Sequence, residues 1–216
     1  MLEKMGVFFE NRLSGYDAHM MQNIEGATEF YPFTARMLPC HPFAEVLDLG
    51  CGTGLELEFY FALCDTARVT GIDLSRGMLD ALREKFKGRE LILHHGSYFD
   101  LPLGKNAYDA AVSVESLHHF TKDEKLPLYR KLHAALREGG YFILTDYFAE
   151  NDAEERHFRA ELLRLTREEG LPEGVCYHYD TPLTVAHEIE ALTAAGFSRV
   201  EVLKNWGATY TVKAVK

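Results

Sequence analysis

From residue 44 onward, short apolar runs alternate with stretches in which apolar residues recur at helical spacing. The first run, AEVLDLG at 44–50, leads into a group of glycines and then into a helical stretch, and the alternation continues as far as residue 149. Runs that are apolar along nearly their whole length are typical of parallel strands covered by helices on both faces. The pattern therefore predicts an α/β domain with a largely parallel sheet.

The order of the predicted elements defines this sheet more closely. The parallel strands are AEVLDLG (44–50), RVTGIDL (68–74), ELILHH (90–95), YDAAVSV (108–114) and GGYFILTDYF (139–148). Predicted helices lie between them, one opened by Ser75 as N-cap and one spanning 122–137. After a last helix at 184–195, two strands follow with a short loop around 205–207 between them, which requires an antiparallel pair.

We expect residues 1–216 to form a single domain. Residues 44–149 carry the alternating core, and residues 184–216 carry the last helix and the antiparallel strands. Residues 1–43 look helical and are predicted to form an N-terminal cap, whereas 150–183 form an insertion after the fifth strand. Ligands of open α/β sheets bind beyond the carboxyl ends of the strands. Both outer segments are therefore expected to cover that edge, the insertion on the substrate side.

Charge and composition restrict the partners. The net charge is −10 and no segment is dense in lysine and arginine, which disfavours nucleic acid as a partner. No apolar run approaches the ~18 residues of a membrane helix, and no secretory signal precedes the first helix. The cysteines show neither a disulfide framework nor the spacing of a zinc site. We expect a cytoplasmic protein that acts on a small molecule.

The turn after the first strand carries the strongest chemical signal. In VLDLGCGTG (46–54), glycines allow the backbone to approach a ligand closely, and the next strand ends in Asp73, where an acid accepts hydrogen bonds from ribose hydroxyls. The spacing is GxGxG, and Leu55 stands where a nicotinamide fingerprint carries its last glycine or alanine. The additional acid, Asp48, suits a ligand with an ammonium or sulfonium group.

These motifs, together with those that follow them, resemble the class I (Rossmann-like) S-adenosylmethionine-dependent methyltransferases. The stretches that carry the resemblance are VLDLGCGTG (46–54), GIDLSRGML (71–79), GSYFDLPL (96–103), YDAAVSVESLHHF (108–120) and LREGGYFILTD (136–146). The resemblance implies a seven-stranded, mostly parallel sheet with helices on both faces and an antiparallel C-terminal hairpin. It also implies S-adenosylmethionine as the cofactor and methyl transfer as the reaction.

The same resemblance implies roles for individual residues. Asp48 and the glycine turn would face the methionyl part of the cofactor, and Asp73 would hold the ribose hydroxyls. Leu74 and Met78 would pack on the adenine. Ser97 stands where the family commonly carries an acid, and it accepts a hydrogen bond without charge assistance. The implied cofactor-binding residues are Tyr16, Asp48, Gly50, Cys51, Gly52, Gly54, Asp73, Leu74, Met78, Ser97, Tyr98 and Glu115.

The candidate catalytic residues are His118 and His119, in the segment ESLHHF after the fourth strand. This segment lies at the sheet edge beside the expected methyl group, and histidine titrates near neutral pH. We expect no metal site, because a cluster of these residues with His94 and His95 requires two strand ends to converge. Aromatic residues that are candidates for a small-molecule pocket are Tyr147, Phe148, Phe158, Tyr177, Tyr179 and Trp206.

Two other functions stay open beside methyl transfer to a small molecule. Some relatives with a similar tail use S-adenosylmethionine to make a modified cofactor for transfer-RNA modification. That activity needs a cation for the added carboxylate, and Arg36, Arg159 and Arg199 are candidates. A cofactor-binding protein without turnover is the third hypothesis. The sequence leaves the acceptor atom open among O, N, S and C.

Overall fold

A seven-stranded sheet forms the centre of the protein. The computed structural model describes residues 1–172 and 174–216, and its strands are β1 (Glu45–Leu49), β2 (Arg68–Asp73), β3 (Glu90–His95), β4 (Tyr108–Val114), β5 (Leu136–Tyr147), β6 (Arg199–Trp206) and β7 (Thr209–Val215). They lie in the order β3-β2-β1-β4-β5-β7-β6. Strands β1 to β5 run parallel, whereas β7 is antiparallel to β5 and β6. The predicted Rossmann-like fold with an antiparallel C-terminal hairpin is confirmed.

Helices connect these strands and cover both faces of the sheet. They are α1 (Met5–Arg12), α2 (Tyr16–Asn23), α3 (Ala27–Met37), α4 (Leu55–Leu63), α5 (Arg76–Lys85), α6 (Lys122–Ala135), α7 (Asp152–Glu168) and α8 (Val185–Ala194), with a 3₁₀ helix at Leu117–His119. Local capping signals explain their starts. Thr121 and Glu124 form a reciprocal capping box at α6. None of the described helices has the length and apolar character that a bilayer crossing demands.

Alternate residues of the strands belong to two hydrophobic cores, one on each face of the sheet. In β1, Val46 belongs to the buried cluster that holds Phe30 of α3 and Tyr60 of α4. The next residue, Leu47, belongs to the cluster that holds Leu132 of α6. Burying a large apolar side chain contributes ~1.5–3 kcal/mol. The same strands therefore hold both helical layers in place.

The strand order reverses beside β1, and this reversal creates a crevice at one edge of the sheet. β1 pairs with β2 on one side and with β4 on the other. Ligands of open α/β sheets bind at such a point, beyond the carboxyl ends of the strands. The turn after β1 and the segment after β4 are in close contact here. No room remains for a side chain at Gly50, since a Cβ atom there would overlap with Oγ of Ser116.

The N-terminal segment and the chain before α8 lie together next to this crevice. The amide of Met5 donates to the carbonyl of Cys176 at 2.9 Å, and the amide of His178 donates to the carbonyl of Glu3 at 2.9 Å. These bonds join the predicted cap to the end of the predicted insertion, 150–183, of which residue 173 lies outside the described residues. Two backbone hydrogen bonds thus hold these two segments together, although they lie far apart in the sequence.

Candidate active site

The turn between β1 and α4 presents backbone to the crevice. Gly50, Gly52 and Gly54 have φ values of +75°, +49° and +73°, in the left-handed region that favours glycine. A Cβ atom at position 54 would also lie 2.8 Å from Cε2 of Phe86. Glycine at position 54 is therefore required by packing as well as by backbone conformation.

Asp73, the last residue of β2, faces this turn. Its Oδ2 accepts a hydrogen bond from the amide of Gly52 at 2.8 Å, and its Oδ1 accepts one from the amide of Ser75 at 2.8 Å. Burial raises the pKa of Asp73, and the two backbone bonds oppose that rise. Each carboxylate oxygen retains a further lone pair. Asp73 therefore has the capacity to accept hydrogen bonds from a ribose.

A narrow cleft of about 50 Å³ lies between this turn and α1. Ligand pockets usually measure ~300–1,000 Å³, so the cleft is nearly closed. Met5 and Phe9 of α1 contribute to its wall. The predicted cofactor residues that line it are Tyr16, Gly50, Gly52, Asp73, Leu74, Met78, Tyr98 and Glu115. The fold thus gathers residues from five separate segments at one place.

The other predicted cofactor residues do not line this cleft; they are Asp48, Cys51, Gly54 and Ser97. The first three are buried within the turn. The hydroxyl of Ser97 accepts a hydrogen bond from the amide of Phe99 at 3.1 Å, so it stabilises its own loop. These residues shape the site rather than form its wall.

Asp48 and Glu56 form a buried carboxyl pair beside the glycine turn. Burial raises the pKa of both groups, and the neighbouring Glu56 raises that of Asp48 further. Two buried carboxyl groups this close disfavour the state in which both are ionised. Among the described residues, Oδ2 of Asp48 and Oε1 of Glu56 have no hydrogen-bond partner. An unsatisfied buried acceptor here fits the cationic methionyl end of S-adenosylmethionine.

A larger cavity of about 870 Å³ adjoins the cleft. Phe9, Tyr16, Glu115 and His119 line both spaces, so the two meet at these residues. The volume lies in the usual range of ligand pockets. Much of the wall is aromatic, from Phe8, Phe9, Tyr16, Tyr147, His178 and Trp206. The arrangement offers one space for a cofactor and a second, contiguous space for an acceptor.

His118 lies between two carboxylates at the wall of the larger cavity. Its Nδ1 is 2.5 Å from Oδ1 of Asp146, and its Nε2 is 3.5 Å from Oδ1 of Asp180. Burial lowers the pKa of His118, but the two acids outweigh burial and raise the pKa to about 10. An imidazole that keeps its proton at neutral pH is a poor general base.

His119 has the opposite electrostatic environment. Its Nδ1 lies 3.2 Å from Oδ1 of Asp180 and 3.2 Å from the carbonyl oxygen of Tyr179. Burial and the positive charge of His118 lower the pKa of His119. The imidazole of His119 is therefore neutral near pH 7, with a nitrogen lone pair available.

Glu115 occupies the junction between the two spaces. Its φ of +49° is unusual for a residue other than glycine, and such strain tends to occur at functional sites. Its Oε1 accepts a hydrogen bond from the hydroxyl of Thr209 at 3.2 Å. Burial raises the pKa of Glu115 to about 7, against the opposing effect of His118. The carboxyl group is thus poised between its charged and neutral forms.

The sequence did not identify Asp146, Asp180 or His178 as site residues. Asp146 lies at the end of β5, next to β4, so the rule that ligands bind at strand ends would have found it. Asp180 and His178 come from a loop without periodicity. The backbone bond from the amide of Thr181 to the carbonyl of His118, at 2.8 Å, fixes the position of that loop.

Several residues considered from sequence lie outside the two spaces. His94 and His95 end β3 and line neither space. Of the aromatic candidates, Tyr147 and Trp206 line the larger cavity, whereas Phe148, Phe158, Tyr177 and Tyr179 do not. The arginines proposed from sequence, Arg36, Arg159 and Arg199, line neither space. Among the described residues, the arginine that borders the larger cavity is Arg12.

Comparison with known proteins agrees with this geometry. Residues 46–140 match the family model described as a methyltransferase domain. The chain is 30% identical over 112 residues to (+)-O-methylkolavelool synthase of Herpetosiphon aurantiacus, covering 50% of this chain and 38% of the relative. It is 27% identical over 195 residues to carboxy-S-adenosyl-L-methionine synthase of Campylobacter curvus, covering 84% and 80% respectively. A putative O-methyltransferase from Nostoc punctiforme superposes with a TM-score of 0.72 at 21% identity, over 99% of this chain and 62% of that one.

The fold, the glycine turn and these matches together support a class I S-adenosylmethionine-dependent methyltransferase. The family model covers residues 46–140 of the chain, and the matches support S-adenosylmethionine as the cofactor. The chain spans 38%, 53% and 19% of the length of three curated relatives that it matches. The names of those relatives differ from one another, so the matches leave the acceptor undetermined.

Proposed function

We propose that the protein transfers a methyl group from S-adenosylmethionine to a small molecule held in the 870 Å³ cavity. The observation that carries this proposal is the junction of the two spaces at Glu115, His119 and Tyr16. Methyl transfer requires the acceptor atom to lie in line with the sulfonium, and correct placement is worth up to ~7–11 kcal/mol. Contiguous spaces for cofactor and acceptor provide such placement.

The cofactor supplies an activated methyl group. The protein positions the cofactor and the acceptor and excludes water from the site. In this proposal Asp73 holds the ribose, while Leu74 and Met78 contact the adenine. The unsatisfied oxygen of Asp48 and the carboxylate of Glu115 provide negative charge for the methionyl end. The buried side of the cleft excludes water, which strengthens these interactions.

The wall of the larger cavity indicates the kind of acceptor. Its aromatic side chains favour an apolar or aromatic small molecule. His118 and His119 lie at the inner end of this wall, so we propose that they act on the polar atom of the acceptor. The net charge of −10 gives no general attraction to nucleic acid.

Synthesis of a carboxylated cofactor is the second candidate, and one observation favours it. The Campylobacter curvus relative named for that reaction matches over 84% of this chain and 80% of its own length. The added carboxylate needs a cation, and the arginines suggested by sequence line neither space. Arg12 borders the larger cavity, but its guanidinium pairs with Glu3 at 2.9 Å. The geometry therefore favours methyl transfer.

A mass spectrum of the cofactor that co-purifies with the protein separates the candidates. Methyl transfer predicts S-adenosylmethionine or S-adenosylhomocysteine, and a carboxylated cofactor contradicts it. Incubation with methyl-labelled cofactor and fractionated small metabolites then tests turnover. Label in a metabolite, lost in Asp73→Asn and retained in Asp80→Asn on the exposed side of α5, supports the proposal. Cofactor binding with no labelled product in any fraction favours a binding protein without turnover.

A further inference from the structure

Three side chains from two segments converge at the inner end of the larger cavity. His118 and His119 come from the 3₁₀ helix after β4, and Asp180 comes from the loop before α8. One ligand atom from each lies within 4.8 Å of the other two. Both imidazoles are buried, and the carboxylate is about half exposed. All three residues line the cavity.

The distances within this group exceed those of strong hydrogen bonds. Oδ1 of Asp180 lies 3.5 Å from Nε2 of His118 and 3.2 Å from Nδ1 of His119. A charge-assisted hydrogen bond between an imidazolium and a carboxylate measures ~2.7–2.9 Å. Zinc bonds of ~2.0–2.2 Å in tetrahedral geometry place neighbouring ligand atoms ~3.2–3.6 Å apart. These two separations match edges of a metal-binding tetrahedron in which His118 binds through Nε2 and His119 through Nδ1; Nδ1 of His119 would then give up its contact with the carbonyl of Tyr179.

The remaining nitrogen of His118 has the partner that metal-binding histidines usually have. Nδ1 of His118 lies 2.5 Å from Oδ1 of Asp146, and Oδ2 of Asp146 accepts a hydrogen bond from the amide of Leu117 at 2.9 Å. Such a carboxylate fixes the ring orientation and increases the basicity of the ligating nitrogen. Asp146 is buried and leaves Nε2 of His118 directed toward Asp180.

We propose that His118, His119 and Asp180 bind a divalent transition-metal ion, with Zn²⁺ as the best match, and that the ion displaces the proton on Nε2 of His118 to solvent. Two imidazoles and one carboxylate are typical ligands of such ions. Three protein ligands leave a coordination position free, as in zinc sites that act in catalysis. Here that position opens into the larger cavity. The sequence alone suggested a metal only together with His94 and His95 and predicted none, and it did not identify Asp180.

The role of the ion rests on the proposed methyl transfer. The ion would lower the pKa of an acceptor hydroxyl or thiol bound at the open position, and the proton would pass to water as the oxygen or sulfur bonded to the ion. The acceptor atom would then be anionic in character beside His119, which lines both the larger cavity and the cofactor cleft. The inference narrows the acceptor to a small, largely apolar molecule with a hydroxyl or thiol group.

Metal binding is tested directly, without turnover. The intact protein is treated with a chelator, dialysed, and titrated with Zn²⁺ by calorimetry. We expect one equivalent to bind, with at least a hundredfold loss of affinity in Asp180→Asn and in His119→Ala. Asp180→Asn is the more informative variant, because the amide still accepts hydrogen bonds and the side chain is half exposed. His94→Ala, at the end of β3, is the matched histidine control and should bind as the wild type does.

Co²⁺ provides a second readout. Tetrahedral Co²⁺ should give intense visible absorption in the wild type and in His94→Ala, and Asp180→Asn should lack it. Absence of stoichiometric binding in the wild type overturns the proposal, as does equal affinity in all variants. Circular dichroism identifies any variant that fails to fold, and Asp180→Glu then replaces it, with partial recovery expected.

The failure of this inference and that of the proposed function are distinguishable. S-Adenosylhomocysteine binding is measured on the same samples. Binding of that compound without a metal rejects the ion and leaves methyl transfer standing. Zinc binding without any affinity for S-adenosylhomocysteine supports the ion site and rejects the proposed function.

Discussion

The carboxylate of Glu10 accepts a hydrogen bond from the hydroxyl of Ser75 at 2.6 Å, and this bond joins α1 to the start of α5. The same carboxylate accepts a bond from the amide of Gly77 at 3.1 Å. α1 also contributes Met5 and Phe9 to the wall of the narrow cleft. Because the cleft measures about 50 Å³, we expect α1 to move when a cofactor enters.

Glu10→Ala should loosen this cover. Both bonds to α5 disappear, so we expect faster hydrogen exchange across 5–12 and several-fold faster release of S-adenosylhomocysteine. Lids of this kind commonly set the rate of ligand exchange. Hydrogen-exchange mass spectrometry and stopped-flow fluorescence measure the two effects. Glu90→Ala, on the edge strand β3, is the control. Unchanged exchange and release rates would show that α1 is a fixed part of the wall.

Asp73→Asn should weaken cofactor binding much more than it lowers stability. The asparagine keeps an acceptor for only one of the two amides, Gly52 or Ser75, and has no charge. Hydrogen bonds to a charged group contribute ~1.5–3 kcal/mol each, so loss of the charge-assisted part predicts at least a tenfold rise in Kd. Calorimetry with S-adenosylhomocysteine measures Kd, and Asp80→Asn is the control. An unaltered Kd would show that Asp73 only stabilises the glycine turn and does not bind the cofactor.

Gly54→Ala should destabilise the fold more than Gly88→Ala does. Both glycines have positive φ, +73° and +92°, so both variants incur ~1–2 kcal/mol of backbone strain. A Cβ atom at Gly88 meets nothing within 4 Å, whereas one at Gly54 lies 2.8 Å from Phe86. Overpacking adds ~1–3 kcal/mol. Urea unfolding gives the difference, and equal losses would contradict the packing argument.

Lys125→Met should destabilise the protein by ~3–5 kcal/mol, because it leaves the carboxylate of Glu188 buried without its cation. The ammonium of Lys125 lies 2.6 Å from that carboxylate, and both side chains are almost fully buried. Lys122→Met, which removes an exposed pair with Glu190, should cost at most ~1 kcal/mol. Thermal and urea unfolding report both values. Similar losses in the two variants would show that water reaches the inner pair.

Periodicity and loop length were sufficient to predict a parallel sheet with an antiparallel end, whereas the seven-stranded fold was implied by the family resemblance. Near-continuous apolar runs and the short loop before β7 are local features, and local sequence determines them. The boundary before β5 was less accurate. Residues 136–137 were assigned to the preceding helix, but the helix ends at Ala135 and β5 begins at Leu136. Pairing of Leu136 with Tyr108 of β4, a long-range interaction, decides that boundary.

The residues of the candidate site also fall into two groups, those that the sequence predicts and those that only the tertiary structure places. The glycine turn and Asp73 are close to the carboxyl ends of parallel strands, so the sequence places them at the ligand-binding edge of the sheet. The environment of His118 does not follow from the sequence. Asp146 arrives from β5 and Asp180 from an aperiodic loop, which is held by backbone bonds to residues 3–5 and to His118. Such contacts depend on where distant segments pack, and only the tertiary structure decides which carboxylates surround a histidine.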